Sequence, residues 1–341
     1  MRGCVIHGAG DLRVDELPEP VAGPGQAVVA VRYGGVCGSD LHYWRHGGVG
    51  DFLLREPMVL GHEIVGTVHS YGAGADGPAA GTPVAVHPAT PCARCPECLD
   101  GRAHVCRDTR YLGSAARMPH VQGGFASRVA VPAAQLRALP EGLALRRAAL
   151  AEPLSVALHA VRRAGPVLDR HVLVTGAGPI GCLVVAALRA AGAAAVTVTD
   201  LLPRALRFAS AAGATTLVRA DDPADPGRPD EVDVAIEASG SAGGLDTCLH
   251  SIRRGGVVVQ LGMLPPGRSP FAGNLVVSRE IELRGALRFD TEFDEAIALL
   301  GREASFDALV SAVVPVERAG EAFALAQDRG QSCKVLLDFG T

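Results

Sequence analysis

From about Ala148 to Leu287 the chain alternates between two hydrophobic patterns, and this alternation restricts the fold more than any other feature. AALAEPLSVALHAVRRAG carries apolar residues at helical spacing and is ended by Gly165-Pro166. After it, HVLVTGAG, AAVTVTD, LVRA, EVDVAIEASG, VVVQLGM and IELRGAL read as strands. PIGCLVVAALRAAG, PRALRFASAAG and GLDTCLHSIRRGG read as helices between them, and DDPADPGRPD as a surface loop. Strands separated by whole helices imply a parallel, doubly wound α/β sheet.

The first part of the chain has another texture. AVVAVRYGGV, HEIVGTVHSYG, TPVAVHP and FASRVAVPA are short alternating runs bounded by turn residues, without long helical periodicity. They predict an irregular, barrel-like β domain. Beyond Leu287, FDEAIALLGREA and RAGEAFALAQDRG predict helices and CKVLLDF a closing strand. These do not extend the alternation, so residues 288–341 are expected to join residues 1–149 around an inserted domain at 150–287. A length of 341 residues with 48% hydrophobic residues is enough for two interiors. Charged residues make up 20% with both signs mixed, which excludes a disordered chain, and a net charge of -4 without a basic run argues against nucleic acid. Nearly all basic residues are arginine; Lys334 is the only lysine. The start lacks an apolar signal region, and Arg189 interrupts the most apolar stretch, 182–199, so a soluble, cytoplasmic protein without a membrane span is expected.

Val172-Leu173-Val174 leads into Gly176-Ala177-Gly178-Pro179-Ile180-Gly181, a G-x-G-x-x-G loop between a predicted strand and helix. This is the Rossmann dinucleotide fingerprint. Gly176 permits the turn, Gly178 lets the backbone approach a pyrophosphate, and Gly181 allows close packing of helix on strand. Asp200, at the end of the next strand, is placed to accept bonds from ribose hydroxyls and to repel a 2′-phosphate. NAD is therefore expected over NADP, with Arg204 able to lean towards a phosphate.

Nine cysteines, clustered in a long chain, fit a secreted disulfide framework poorly. Cys92, Cys95, Cys98 and Cys106 form C-x2-C-x2-C-x7-C, whose four soft thiolates suit a closed, structural zinc site. Cys37, in GVCGSDLHYW, is followed by His62 and Glu63 in VLGHEIVG, a mixed donor set that leaves room for a substrate. Alone, Cys37 would read as a buried cysteine and His62 as a core histidine. Ser39 and His42 adjoin Cys37, and Glu152 supplies a further carboxylate near the domain junction. Two zinc ions per subunit are expected.

CGSDLHYW, LGHE, the four-cysteine lobe, AEPLSVALHA and GAGPIGC resemble the zinc-dependent medium-chain dehydrogenases, in particular their polyol branch, over nearly the whole chain. The run GSDLHYWRHGGVGDFLLREPMVLGHEIVGTV is most similar to the L-idonate 5-dehydrogenases within it. The resemblance implies a GroES-like catalytic domain beside the Rossmann domain, and a homo-oligomer, tetramer or dimer. It implies a catalytic zinc on Cys37 and His62, with Glu63 as third ligand and Glu152 close by, directly or through water the alternative. It also implies a proton relay from Ser39 through the nicotinamide ribose to His42. Ser239, Gly262, Met263 and Arg288 would touch the nicotinamide half of the cofactor, and Tyr43, Arg288 and Phe289 the substrate. The substrate would be a sugar acid or a neutral polyol. Arg45, Arg55, Arg110, Arg117 and Arg288 are the candidate partners of a carboxylate. A zinc- and nucleotide-binding sensor without catalysis would lack Cys37, His62 or Ser39, and all are present.

Overall fold

The computed structural model describes residues 1–340. The chain divides into two compact units. One comprises Met1–Glu152, Phe293–Asp328 and the last strand from Lys334 on; the other comprises Pro153–Glu292 and Arg329–Cys333.

The first unit is built on a seven-stranded sheet. Its order is Leu136–Ala138, Pro83–Val86, Glu63–Tyr71, Gln26–Gly35, Lys334–Asp338 and Val310–Pro315, and Arg128–Pro132 also pairs with Gln26–Gly35. The core on this sheet includes the fully buried Ile6, Leu60, Phe125, Phe323 and Leu337. Register does the positioning. Gly35 pairs with Glu63 on one side and with Leu336 on the other, so the chain leading to Cys37, the strand carrying Glu63 and the strand carrying Lys334 converge.

Beside short unpredicted elements such as the hairpin Arg2–Gly8 and Asp11–Glu16, two departures of this unit bear on the site. GSDLHYWRH folds as a nine-residue helix, Gly38–His46, where no helix was predicted. Its backbone entry is satisfied by Asp40, whose Oδ2 accepts the Cys37 N–H at 2.9 Å. Gly47, at φ 66°, ends it with an N–H bond back to the Tyr43 carbonyl. Asp40 and Tyr43 form its buried side, an inward face too small to show as a helical stripe. The second departure is Val310–Pro315, an unpredicted strand that pairs in parallel with Lys334–Asp338.

The second unit carries six parallel strands in the order Thr216–Arg219, Ala195–Asp200, His171–Thr175, Val232–Glu237, Ile252–Gln260, Glu282–Gly285. Numbered along the chain this is 3-2-1-4-5-6, the doubly wound order. Strand order reverses between His171–Thr175 and Val232–Glu237, and the crevice beyond their carboxyl ends is the ligand side of such a sheet. One helix is shorter than expected. Ala242–Ser251 stops before the IRRGG run, which instead opens the strand Ile252–Gln260 through a bulge at its pairing with Val232–Glu237. Gly255, at φ 65°, makes that irregularity affordable to the backbone. Among the described residues, no helix is long and apolar enough to cross a membrane.

Candidate active site

Cys37, His62 and Glu63 each offer a ligand atom within 4.8 Å of the others. Zinc bonds of about 2.0–2.3 Å set tetrahedral donors roughly 3.3–3.8 Å apart, so these sulfur, nitrogen and oxygen donors fit one ion with small adjustment. His62 and Glu63 are buried and Cys37 is half-buried, which leaves the set approachable on one side. Burial alone would push the His62 pKa down, but the Cys37 sulfur, Asp40 and Glu152 outweigh it and hold it well above its usual value. The surroundings thus favour positive charge at this point, whether a proton or a metal.

Three residues that sequence reasoning missed organise these donors. Asp40, fully buried, accepts from the Cys37 N–H and, at 3.3 Å, from the Gly61 N–H, so one carboxylate ties the segment before each of two donors. Burial raises its pKa, partly offset by His62 and the Cys37 N–H. Lys334 donates to both Glu63 oxygens, at 2.8 and 2.7 Å, and to the Val36 carbonyl at 3.1 Å. Burial opposes its charge, but Glu63, Cys37 and Glu152 raise its pKa above the ordinary lysine value. Tyr111 donates its hydroxyl to Glu152 Oε1 at 2.6 Å, and its ring centroid lies 5.6 Å from that of His62. Glu152, 6% exposed, lies outside the tight three-donor set but interacts electrostatically with His62 and Glu63, and burial raises its pKa.

Ser39 and His42 stand one turn apart on the helix that starts at Cys37, and so share a face of it. Ser39 is half-buried and His42 exposed. Tyr43, expected at the substrate, is 3% exposed in the core of the unit, where its hydroxyl accepts from the Ala115 N–H at 2.9 Å. Of the candidate arginines, Arg117 is taken up by Asp108 and the Thr109 carbonyl, and Arg45 by the side-chain carbonyl of Gln327. Arg55 and Arg110 are exposed.

The four-cysteine lobe surrounds a separate point. Cys92, Cys95, Cys98 and Cys106 present sulfurs within 4.8 Å of one another, and Cys95 Sγ lies 3.8 Å from Cys106 Sγ. That distance is the tetrahedral edge expected of zinc–sulfur bonds of about 2.3 Å. Backbone N–H groups of Cys92 and Asp108 point at Cys106 Sγ, both at 3.3 Å, as suits a thiolate. N–H groups of Arg94 and Cys95 draw the Cys92 thiol down, whereas burial and sulfur crowding push Cys98 up. Four such thiols cannot all ionise without a cation between them, and all are free of disulfides. Arg107, bonded to Glu97 at 2.6 Å, clips the lobe.

In the second unit the glycine loop lies at the carboxyl end of His171–Thr175. Gly176 has φ 91°, and a Cβ there would meet Ser239 Cα at 2.7 Å. A Cβ on Gly178 would meet nothing within 4 Å, so the space over that residue is open to a ligand. Gly178 caps the helix Pro179–Ala190, whose first residues, Pro179, Ile180 and Gly181, begin at an N-terminus suited to a pyrophosphate. Asp200 is already engaged: Oδ2 accepts from the Ala177 N–H at 2.7 Å and Oδ1 from the Leu202 N–H at 2.8 Å. Each oxygen keeps a second lone pair for a ribose hydroxyl. Arg204 is exposed at the start of the next helix, Pro203–Ala211. Ser239, Gly262 and Met263 follow the strands Val232–Glu237 and Ile252–Gln260. Arg288 adopts φ 53° after the edge strand, and Phe289 is buried at 4% exposure.

Residues 23–141 match the family described as alcohol dehydrogenase GroES-like domain, and residues 179–302 match zinc-binding dehydrogenase. The chain is 38% identical to L-idonate 5-dehydrogenase (NAD(P)(+)) of Escherichia coli strain K12, covering 99% of this chain and 98% of that protein. The crystal structure of L-idonate 5-dehydrogenase from Escherichia coli K-12 superposes with a TM-score of 0.93 at 36% identity, covering 99% of this chain and 98% of that one. Sorbitol dehydrogenase of Gallus gallus is 34% identical over 98% of this chain and 95% of its own length. With a GroES-like unit, a parallel Rossmann unit and these matches along almost its whole length, the chain belongs to the zinc-dependent medium-chain dehydrogenases, enzymes that use NAD(P).

Proposed function

We propose that the chain oxidises a secondary alcohol of a sugar acid, L-idonate at C5 to 5-keto-D-gluconate, reversibly and with NAD as hydride acceptor. The observation that carries the chemistry is the three-donor set Cys37, His62 and Glu63 beside a helix bearing Ser39 and His42. Zinc bound there supplies Lewis acidity, lowering the pKa of a substrate hydroxyl so that its proton leaves near neutral pH. NAD supplies the hydride acceptor. Ser39 takes the hydroxyl proton, and His42, one turn along, passes it on towards solvent. Glu63 is the third ligand, Lys334 holding its carboxylate in place, while Glu152 stays beside the centre on the Tyr111 hydroxyl. A second zinc on Cys92, Cys95, Cys98 and Cys106 fixes the lobe. NAD is preferred because Asp200 meets the ribose hydroxyls, Arg204 moderating that preference.

The choice of L-idonate is supported by the 38% identity to the Escherichia coli enzyme. A neutral polyol is the second reading, favoured by the 34% identity to sorbitol dehydrogenase. Arg55 and Arg110, both exposed, are candidate carboxylate partners together with Arg288, and alanine variants assayed with L-idonate and sorbitol test them. The test is a panel of aldonates and polyols assayed by NADH and NADPH appearance. L-idonate with NAD is expected to give the highest kcat/KM. Sorbitol or xylitol leading the panel would replace the sugar-acid reading with the polyol one.

A further inference from the structure

Glu237 closes the strand Val232–Glu237 at the point where the sheet reverses order, and it is completely buried. Its carboxylate faces donors from two loops. Oε1 accepts from the Ser239 N–H at 2.7 Å, from the Ser239 hydroxyl and from the Gly240 N–H at 3.0 Å. Oε2 accepts from Gln260 Nε2 at 2.6 Å and from the Gly240 N–H at 3.2 Å. The Glu237 carbonyl takes the N–H groups of Leu261 and Gly262, both at 2.9 Å. Gln260 Nε2 also donates to the Gly262 carbonyl at 2.6 Å, and to do both it leaves its own Oε1 buried without a partner. An amide held in that orientation shows that its two acceptors, Glu237 and Gly262, dictate it. The loops approach so closely that a Cβ on Gly262 would lie 2.6 Å from Glu237 Oε2 and 2.3 Å from the Gly240 nitrogen. Ser239 in turn packs on Gly176 of the glycine loop.

We infer that Glu237 is a positioning residue: it locks the loops at Ser239–Ser241 and Leu261–Met263 into one surface on which the nicotinamide half of the dinucleotide rests. This builds on the proposed assignment of Ser239, Gly262 and Met263 to that half of the cofactor. Glutamine at position 237 would keep the shape but turn one acceptor into a donor facing Gln260 Nε2. Gln260 would then have to rotate its amide, and the Gly262 carbonyl would lose its donor. The adenosine half, at Asp200 and the Pro179–Ala190 helix, would keep every contact.

The test titrates the wild type and Glu237→Gln with NADH and, separately, with ADP-ribose, which lacks the nicotinamide. Loss of a buried polar tether is expected to weaken NADH about tenfold or more while ADP-ribose changes less than about twofold. Unchanged binding of both ligands would overturn the positioning role and leave the loop assignment standing. Equal weakening of both in a folded variant would instead overturn the assignment of these loops to the nicotinamide half. Should Glu237→Gln not fold, Gln260→Leu removes the tether of the second loop alone. The same split is expected of it, and no split would overturn the inference.

Discussion

Glu63 serves two partners with one carboxylate. Both of its oxygens accept from Lys334 Nζ, and one lies within 4.8 Å of ligand atoms on Cys37 and His62. Lys334 is the only lysine in a chain that otherwise uses arginine, and the site gives a reason at this position. An ammonium has three donors, and here all three are matched by Val36 and the two Glu63 oxygens. A guanidinium would bring five donors in a rigid plane to the same buried space, where Lys334 is only 3% exposed. Ser39, by contrast, is half-buried on the helix surface and bears no load in the core. Its replacement by alanine is therefore expected to cut kcat by about 10²–10⁴-fold, the range of a lost proton-transfer group. Bound zinc and NADH affinity should remain at wild-type values. Turnover within a few-fold of wild type, with metal retained, would remove Ser39 from the relay.

Elements differ in how openly the sequence announces them. Most strands and helices of the second unit were legible because their runs keep one period, and because Gly176 to Gly181 sits where a strand must hand over to a helix; the short helix Gly273–Ser278 was not, and the IRRGG run was read as helix where it is strand. Gly38–His46 was not legible. Its cap is Asp40 reaching back to the Cys37 N–H, and its buried face is two residues wide. The members of the two cysteine- and histidine-containing clusters, which the fold does bring together, were legible from composition and spacing. Asp40, Tyr111, Lys334 and Glu237 were not, because each acts through partners that only the fold brings near; Lys334 and Glu63 are 271 positions apart. Glu292, at the head of the helix Glu292–Arg302, is another such residue. It is fully buried, accepts from the Asp290 N–H at 2.6 Å, and pairs with His159 and Arg162, both at 3.0 Å. Burial opposes its ionisation, but the His159 ring and the Asp290 N–H hold its pKa at about 2 instead of 4.5. A depressed carboxylate contributes stability that is complete above its unfolded pKa and lost as pH falls towards its folded one. Glu292 therefore contributes at most about 3 kcal/mol near neutrality, fading between about pH 4.5 and pH 2. Urea titrations of wild type and Glu292→Gln should show a stability gap that narrows steadily over that acid interval. A gap independent of pH would show that the ion pairs are not its source.

At the scale of the whole molecule, two donor sets divide the work that a metal can do. On the proposed reading, the four sulfurs of Cys92, Cys95, Cys98 and Cys106 would close a coordination shell, and a closed shell can only hold a lobe in shape. Cys37, His62 and Glu63 would supply three donors, and a three-donor shell has a corner for a substrate oxygen. Asp40 and Glu152 are the further carboxylates that interact with His62; Asp40 is taken up by the Cys37 and Gly61 N–H groups, and the Tyr111 hydroxyl holds Glu152. Whether the second centre is open decides between a dehydrogenase working through its metal and a protein merely stiffened by it. The most direct measurement is crystallography of the purified protein with anomalous scattering recorded at the zinc edge. Two zinc ions per chain are expected, one enclosed by four sulfurs. The other should be held by Cys37 Sγ, a His62 nitrogen and a Glu63 oxygen, its remaining position filled by water or substrate. A fourth protein donor filling that position, or no metal on Cys37 and His62, would contradict the account.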